Sequence, residues 1–110
     1  MLVNNAAAAP AQRRAAADGT EWQLAVNVLA YFRLMRCLRA PLARASPSRI
    51  VNVVSEMAGG MRLDDLQWRL RTYDAVSVYA ATKQADMMLT WEAAERFAAD
   101  PDAFAVAFTS

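Results

Sequence analysis

Tyr79 and Lys83 stand four apart in Val78-Tyr79-Ala80-Ala81-Thr82-Lys83, and Lys83 is the one lysine of the chain. Every other basic side chain is arginine, in a composition biased toward Arg and Ala, so a surviving lysine calls for a chemical reason. On a helix, a spacing of four puts both side chains on one face, one turn apart. An ammonium beside a phenol favours the phenolate. A tyrosine tuned in this way can give or take a proton near neutral pH. The plain alternative is a surface lysine one turn from a half-buried tyrosine.

The elements that must position this pair follow from pattern. Leu2-Val3-Asn4 is a short apolar run that stops at polar residues, the end of a strand. Residues 6–19 form a loop rich in Ala, Arg and Pro. Thr20-Glu21-Trp22-Gln23 has capping-box form, with Thr20 as N-cap and Gln23 at the third helical position. The helix it opens is expected to run to about Ala45, with Pro41 able to kink it. Asn27 lies inside that helix, an odd place for a residue of poor helix propensity. Arg49-Ile50-Val51-Asn52-Val53-Val54-Ser55 is β-branched and almost continuously apolar, which suits a parallel strand covered on both faces. The connection over residues 56–72 is long enough to be functional or mobile. A second helix is expected from Val76 to Ala98, ended by Asp100-Pro101-Asp102, and a final strand over Phe104 to Phe108. Strands alternating with helices argue one α/β domain, a parallel sheet with right-handed crossovers.

Composition sets bounds. The chain has 110 residues, 56% of them hydrophobic and 21% charged, with a net charge of +1. That is enough for one modest core and is not a disordered composition. No basic stripe interleaved with aromatics points to nucleic acid, and Arg33, Arg36 and Arg39 read as a solvated helix face. There is no His, the usual general base, and the single Cys37 excludes a disulfide framework or a thiolate zinc site within the chain. No metal is expected. A lone Cys at an apolar position fits a reducing, cytoplasmic setting. No apolar run reaches about 18 residues, so no membrane span is expected, and the opening residues do not form a signal peptide. Trp22, Trp68 and Trp91 are expected to pack, and Met87-Met88 to fill the core rather than line a substrate pocket.

In open parallel sheets, ligands bind beyond the carboxyl ends of the strands. Asn4-Asn5-Ala6 ends the first strand, Ser55 ends the second, and Tyr79 and Lys83 open the helix after the long loop. Leu2-Val3-Asn4-Asn5-Ala6, Asn27, the run ending at Ser55 and Tyr79-x-x-x-Lys83, in that order and with these gaps, resemble the short-chain dehydrogenase/reductase family. The long gap from Ser55 to Tyr79, with Leu63-Asp64-Asp65-Leu66 inside it, looks like its retinol-dehydrogenase-like branch. The resemblance covers essentially the whole chain. It implies a partial Rossmann-like, doubly wound α/β domain over residues 1–110, with an NAD- or NADP-dependent activity interconverting an alcohol and a carbonyl. Tyr79 would be the acid or base at the substrate oxygen. Lys83 would tune Tyr79 and bind the nicotinamide ribose. Ser55 would hold the substrate oxygen, and Asn27 would keep a relay water in place. Asn4, Asn5 and Ala6 would support the sheet and lie against the adenosine side of the cofactor. A homo-oligomer is implied for the intact enzyme. A hydride leaving carbon while a proton leaves oxygen does require a tuned acid/base and an oxygen clamp.

The chain departs from this family at the cofactor. Its three glycines, Gly19, Gly59 and Gly60, form no Gly-rich turn after a first strand. The opening strand corresponds to the family's fourth, so three strand-helix units, roughly 90 residues at about 30 each, would be expected in front. Ala7 stands in place of a glycine, and Val54 in place of a frequent first serine. The 110 residues alone are therefore expected to be marginal or self-associating and inactive with nicotinamide. The competing expectation is a non-catalytic relic or a fragment that acts by subunit association.

Overall fold

A computed structural model describes residues 1–45, 47–98 and 105–109, the last five and Ala98 by backbone alone. Three strands form one parallel sheet in the order β1-β2-β3: β1 (Leu2–Asn4), β2 (Arg49–Val53) and β3 (Ala105–Thr109). Leu2 pairs with Ile50 and Asn4 with Asn52, while Ile50 pairs with Val106. The crossovers carry two helices, α1 (Ala30–Arg44), which continues a π-helical segment Leu24–Leu29, and α2 (Ala75–Ala98). The expected strand-helix-strand-helix-strand order is present.

Both helices pack on the same face of the sheet. Ile50 forms one cluster with Met35 and Leu42 of α1 and Ala93 of α2, and Leu2, Leu38, Leu89 and Phe97 close around it. The alternate residues point the other way: Val3 is 50% exposed and Val51 and Val53 are half-buried. Within these residues β2 is therefore covered on one face, not on both as its apolar run suggests. The run records two buried faces; this chain supplies the helices for one. β1 is an edge strand. The strand also stops at Val53, leaving Ser55 two residues beyond it.

The first helix does not start as the capping box predicts. Glu21 caps it: one carboxylate oxygen accepts the Gln23 N–H at 3.0 Å and the other the Leu24 N–H at 2.7 Å. Thr20 instead gives its N–H to Asp18, and the Gln23 side chain donates to the Tyr73 hydroxyl and the Ala75 carbonyl. A carboxylate has two acceptor oxygens for two orphan donors, and the distant loop claims the glutamine. Pro41 is tolerated inside α1, three residues before its end. Asp74 caps α2 by accepting the Ser77 N–H at 2.8 Å. Cys37, expected at an apolar position, is exposed on α1. Trp68 is buried as expected, whereas Trp22 and Trp91 are 37% and 50% exposed, and Met88 also faces out of the core. The expected helix stop at residues 100–102 and Phe104 lie outside the described residues.

The connection between β2 and α2 is a built structure. It holds a 3-10 turn, Leu63–Asp65, whose buried Asp65 accepts the Arg69 and Leu70 N–H groups and the Arg71 guanidinium. Burial pushes the Asp65 carboxyl up, but these donors outweigh it and hold it below the usual carboxylate range. Arg71 lies 3.7 Å over the ring of Trp68, which adopts φ 51°. Tyr73 donates to the Pro10 carbonyl, and Gln67 accepts the Glu21 N–H, so this loop ties the N-terminal loop to the start of the first helix.

Candidate active site

The first turns of α2 meet the carboxyl end of β2. Lys83 reaches down the helix, and its ammonium donates to the Val53 carbonyl, the last of the strand, at 3.0 Å. It also donates to Asp86 at 3.2 Å, one turn further along. Lys83 is 1% exposed and Asp86 is fully buried. The ammonium lies 5.7 Å from the centre of the Tyr79 ring and 5.2 Å from that of Tyr31 of α1, so two phenols flank one cation. Tyr79 itself is half-buried, which leaves it partly open to solvent or a ligand.

Burial pushes the Asp86 carboxyl up to about 7, while the Lys83 charge and hydrogen bond pull it back down. Tyr31 is pushed up to about 12, first by burial and then by the charges of Asp86 and Tyr79, so it stays a neutral phenol. Its hydroxyl donates to the Ala6 carbonyl at 3.1 Å. Ser55 is half-buried beyond the strand end. Its oxygen accepts the Met57 N–H at 3.2 Å, which leaves its own proton to donate. Gly59 donates its N–H to the Ala80 carbonyl, pinning the loop after Ser55 to the turn of α2 that carries Tyr79.

Asn27 is buried in the π segment. Its side-chain oxygen accepts the Ala8 N–H, and its amide donates to the Ala8 carbonyl and to the Thr82 hydroxyl. It thereby clamps the loop after β1 against α2 beside Lys83, and its amide is fully used there. A π segment is a common disturbance at functional sites, because the wider turn displaces its side chains from the helical path. Asn4 is buried and donates to Asn52 at 2.7 Å; Asn52 donates in turn to the Thr90 hydroxyl, and Thr90 to the Asp86 carbonyl. Asn5 and Ala6 are exposed beyond the strand.

Tyr79, Lys83, Ser55, Asn27 and Asn4 thus all sit on the elements around one end of the sheet. Sequence reasoning did not find Asp86, Tyr31, Asn52 or Thr90. Asp86 carried a signal, since its place three residues after Lys83 puts it on the same helix face. The others depend on contacts between distant segments. A groove of about 620 Å³ between α1 and α2, lined by Phe32, Met35, Leu89 and Phe97 among others, shares none of these residues. Among the described residues no helix is long and apolar enough to cross a membrane, and no group of acidic, His or Cys side chains could hold a metal ion.

Residues 1–101 match the family described as short chain dehydrogenase. Retinol dehydrogenase 13 of Mus musculus is 37% identical over 98 residues, which is 87% of this chain and 29% of the relative. The chain thus spans about three tenths of that relative's length. A crystal structure of an uncharacterised protein from Mycobacterium paratuberculosis superposes with a TM-score of 0.84 at 31% identity, over 96% of this chain and 40% of that one. A gluconate 5-dehydrogenase from Burkholderia cenocepacia, solved in complex with NADP and tartrate, superposes at 0.57 with 26% identity, over 96% of this chain and 38% of that one. With a family match over nearly its whole length and the fold to go with it, this chain belongs to the short-chain dehydrogenase family of oxidoreductases.

Proposed function

We propose that these residues form the acid–base portion of an NAD- or NADP-dependent oxidoreductase that interconverts a small alcohol and its carbonyl. The observation that carries this reading is the buried Lys83 ammonium at the end of β2, beside the ring of Tyr79.

The residues present suit one end of a nicotinamide cofactor. Two of the three N–H bonds of Lys83 are engaged, by Val53 and Asp86, which leaves one donor for a ribose hydroxyl. Bound there, the cofactor supplies or accepts the hydride. The chain's own residues handle the oxygen. Ser55 donates its free hydroxyl proton to the carbonyl oxygen and holds it in place. Tyr79 delivers a proton to that oxygen in reduction and removes it in oxidation. Asn27 fixes the loop after β1 to Thr82 beside Lys83, the place where it would keep the relay water its motif implies. Asn5 and Ala6, exposed beyond the strand, would lie against the adenosine side of the cofactor, and buried Asn4 would support them from within the sheet through Asn52. The exposed Leu63, Leu66 and Leu70 of the connecting loop favour an apolar substrate, in keeping with the retinol dehydrogenases the chain resembles. The intact enzyme is a homo-oligomer with the apolar groove between α1 and α2 at its interface.

The test is an assay with NAD and with NADP, on retinol and on a short-chain alcohol, of the natural gene product that contains these residues. Tyr79→Phe should lower kcat by about 10²–10⁴-fold, the usual share of a positioned acid/base. A variant that retains full turnover would overturn the assignment. The second reading is a non-catalytic fragment acting by association. Its support is the sheet face left without a helix, where Val3 is 50% exposed. Micromolar quenching of reduced-nicotinamide fluorescence by the 110-residue chain would sink it.

A further inference from the structure

Acid–base chemistry at Tyr79 accounts for Lys83 but not for the carboxylate buried with it. An ammonium away from water is costly unless it is paired. The Val53 carbonyl is a single neutral acceptor at the tip of a long side chain with four rotatable bonds, too little to fix the charge. Asp86, three residues on, reaches the same atom from the same helix face. Its main chain is held in turn, since the Thr90 hydroxyl donates to the Asp86 carbonyl at 2.6 Å. We propose that Asp86 is a positioning residue for Lys83: its carboxylate holds the ammonium at the carboxyl end of β2, and protonation of that carboxylate releases it. The proposal rests on the function above, in which Lys83 is the cation of the site.

Three features make the pair a switch and not a permanent clamp. One Asp86 oxygen takes the Lys83 proton, while the other is buried with no hydrogen-bond partner among the described residues. A carboxylate half satisfied is poorly stabilised as an anion, and accordingly its carboxyl is pushed up to about 7, by burial first and against the pull of Lys83. The groups around it are few. Lys83 and, beyond it, Tyr79 face it from α2, and Tyr31 faces it from α1. Among the described residues, the β2 groups next to it are the neutral Val53 carbonyl and Asn52, with Arg49 at the far end of the strand. Tyr31, pushed up to about 12, keeps its proton throughout. Of Asp86 and Tyr31, it is Asp86 whose charge changes near neutrality.

The single lysine makes the test direct, because a chain labelled with 13C-lysine gives one side-chain signal. In the 110-residue chain the Lys83 Cε signal should differ from its value in concentrated guanidinium and should step with pH, with a midpoint near 7. The step should be absent in Asp86→Asn. In a chain shown to be folded by dispersed amide signals, a wild-type signal that is flat through neutrality overturns the proposal, as does an unchanged step in Asp86→Asn. Should that variant not fold, 13C-aspartate in the wild-type chain decides: one carboxyl must titrate with the same midpoint as the step in the Lys83 Cε signal, and separate midpoints overturn the link. The Tyr79→Phe assay judges the functional reading by itself, so the two failures are read on different measurements.

Discussion

Lys83 is buried where water does not reach it, and the fold pairs it with Asp86. That pairing makes stability depend on pH in a stated direction. The folded-state value of Asp86, about 7, lies above its ordinary 3.8, so the fold keeps a proton that the unfolded chain has already lost between those limits. On this group's account, stability is fully present below about pH 4 and falls as pH rises toward 7. Urea unfolding at about pH 5 and about pH 8 should show a downward slope that is smaller in Asp86→Asn; equal slopes in the two chains would contradict the shift. The Tyr79–Lys83 pair was legible in the sequence because a spacing of four is a property of one helix. The depth of Lys83 was not legible, because it is set by a strand end thirty residues upstream.

At the level of elements, pattern located the strands and helices and misplaced their ends. Thr20 to Gln23 satisfies the letter of a capping box, yet Glu21 supplies the cap. Its own N–H is held by Gln67, 46 residues away, and that contact has no local signature. Glu21→Ala should cost about 1 kcal/mol and Thr20→Ala close to nothing, measured by urea denaturation. The reverse ranking would restore the capping box. The connecting loop was expected to be functional or mobile, and its order was hidden for a related reason. Asp65, Trp68 and Arg71 organise it through a buried carboxylate and a stacked guanidinium that only the folded turn brings together. Asp65→Ala should free this loop, so that trypsin cleaves after Arg69 and Arg71 faster than in wild type while the cleavage rate after Arg44 is unchanged. Equal rates at all sites would show that Asp65 does not order the loop.

At the largest scale, the described residues form a sheet with two helices on one face and, on the other, an exposed Val3 beside half-buried Val51 and Val53. The alternation of strands and helices was readable from sequence, and so was the parallel pairing. The bare face was legible only in part: the apolar run of β2 describes a strand enclosed from both sides, while a partial sheet with self-associating surface was expected all the same. Val3, 50% exposed on an edge strand, makes this face adhesive. The 110-residue chain should therefore sediment as more than a monomer, and Val3→Lys should shift it toward the monomer; a well-behaved monomer with a sharp unfolding transition would refute this. The polar thread from Asn4 through Asn52 to Thr90 has a different consequence. Sliding β1 by a single residue would set Val3 against Asn52 and strand a buried amide with nothing to bond. Aliphatic side chains would forgive that slip. The two asparagines act instead as a vernier mark, so that whatever else binds this half-sheet meets its strands in one alignment.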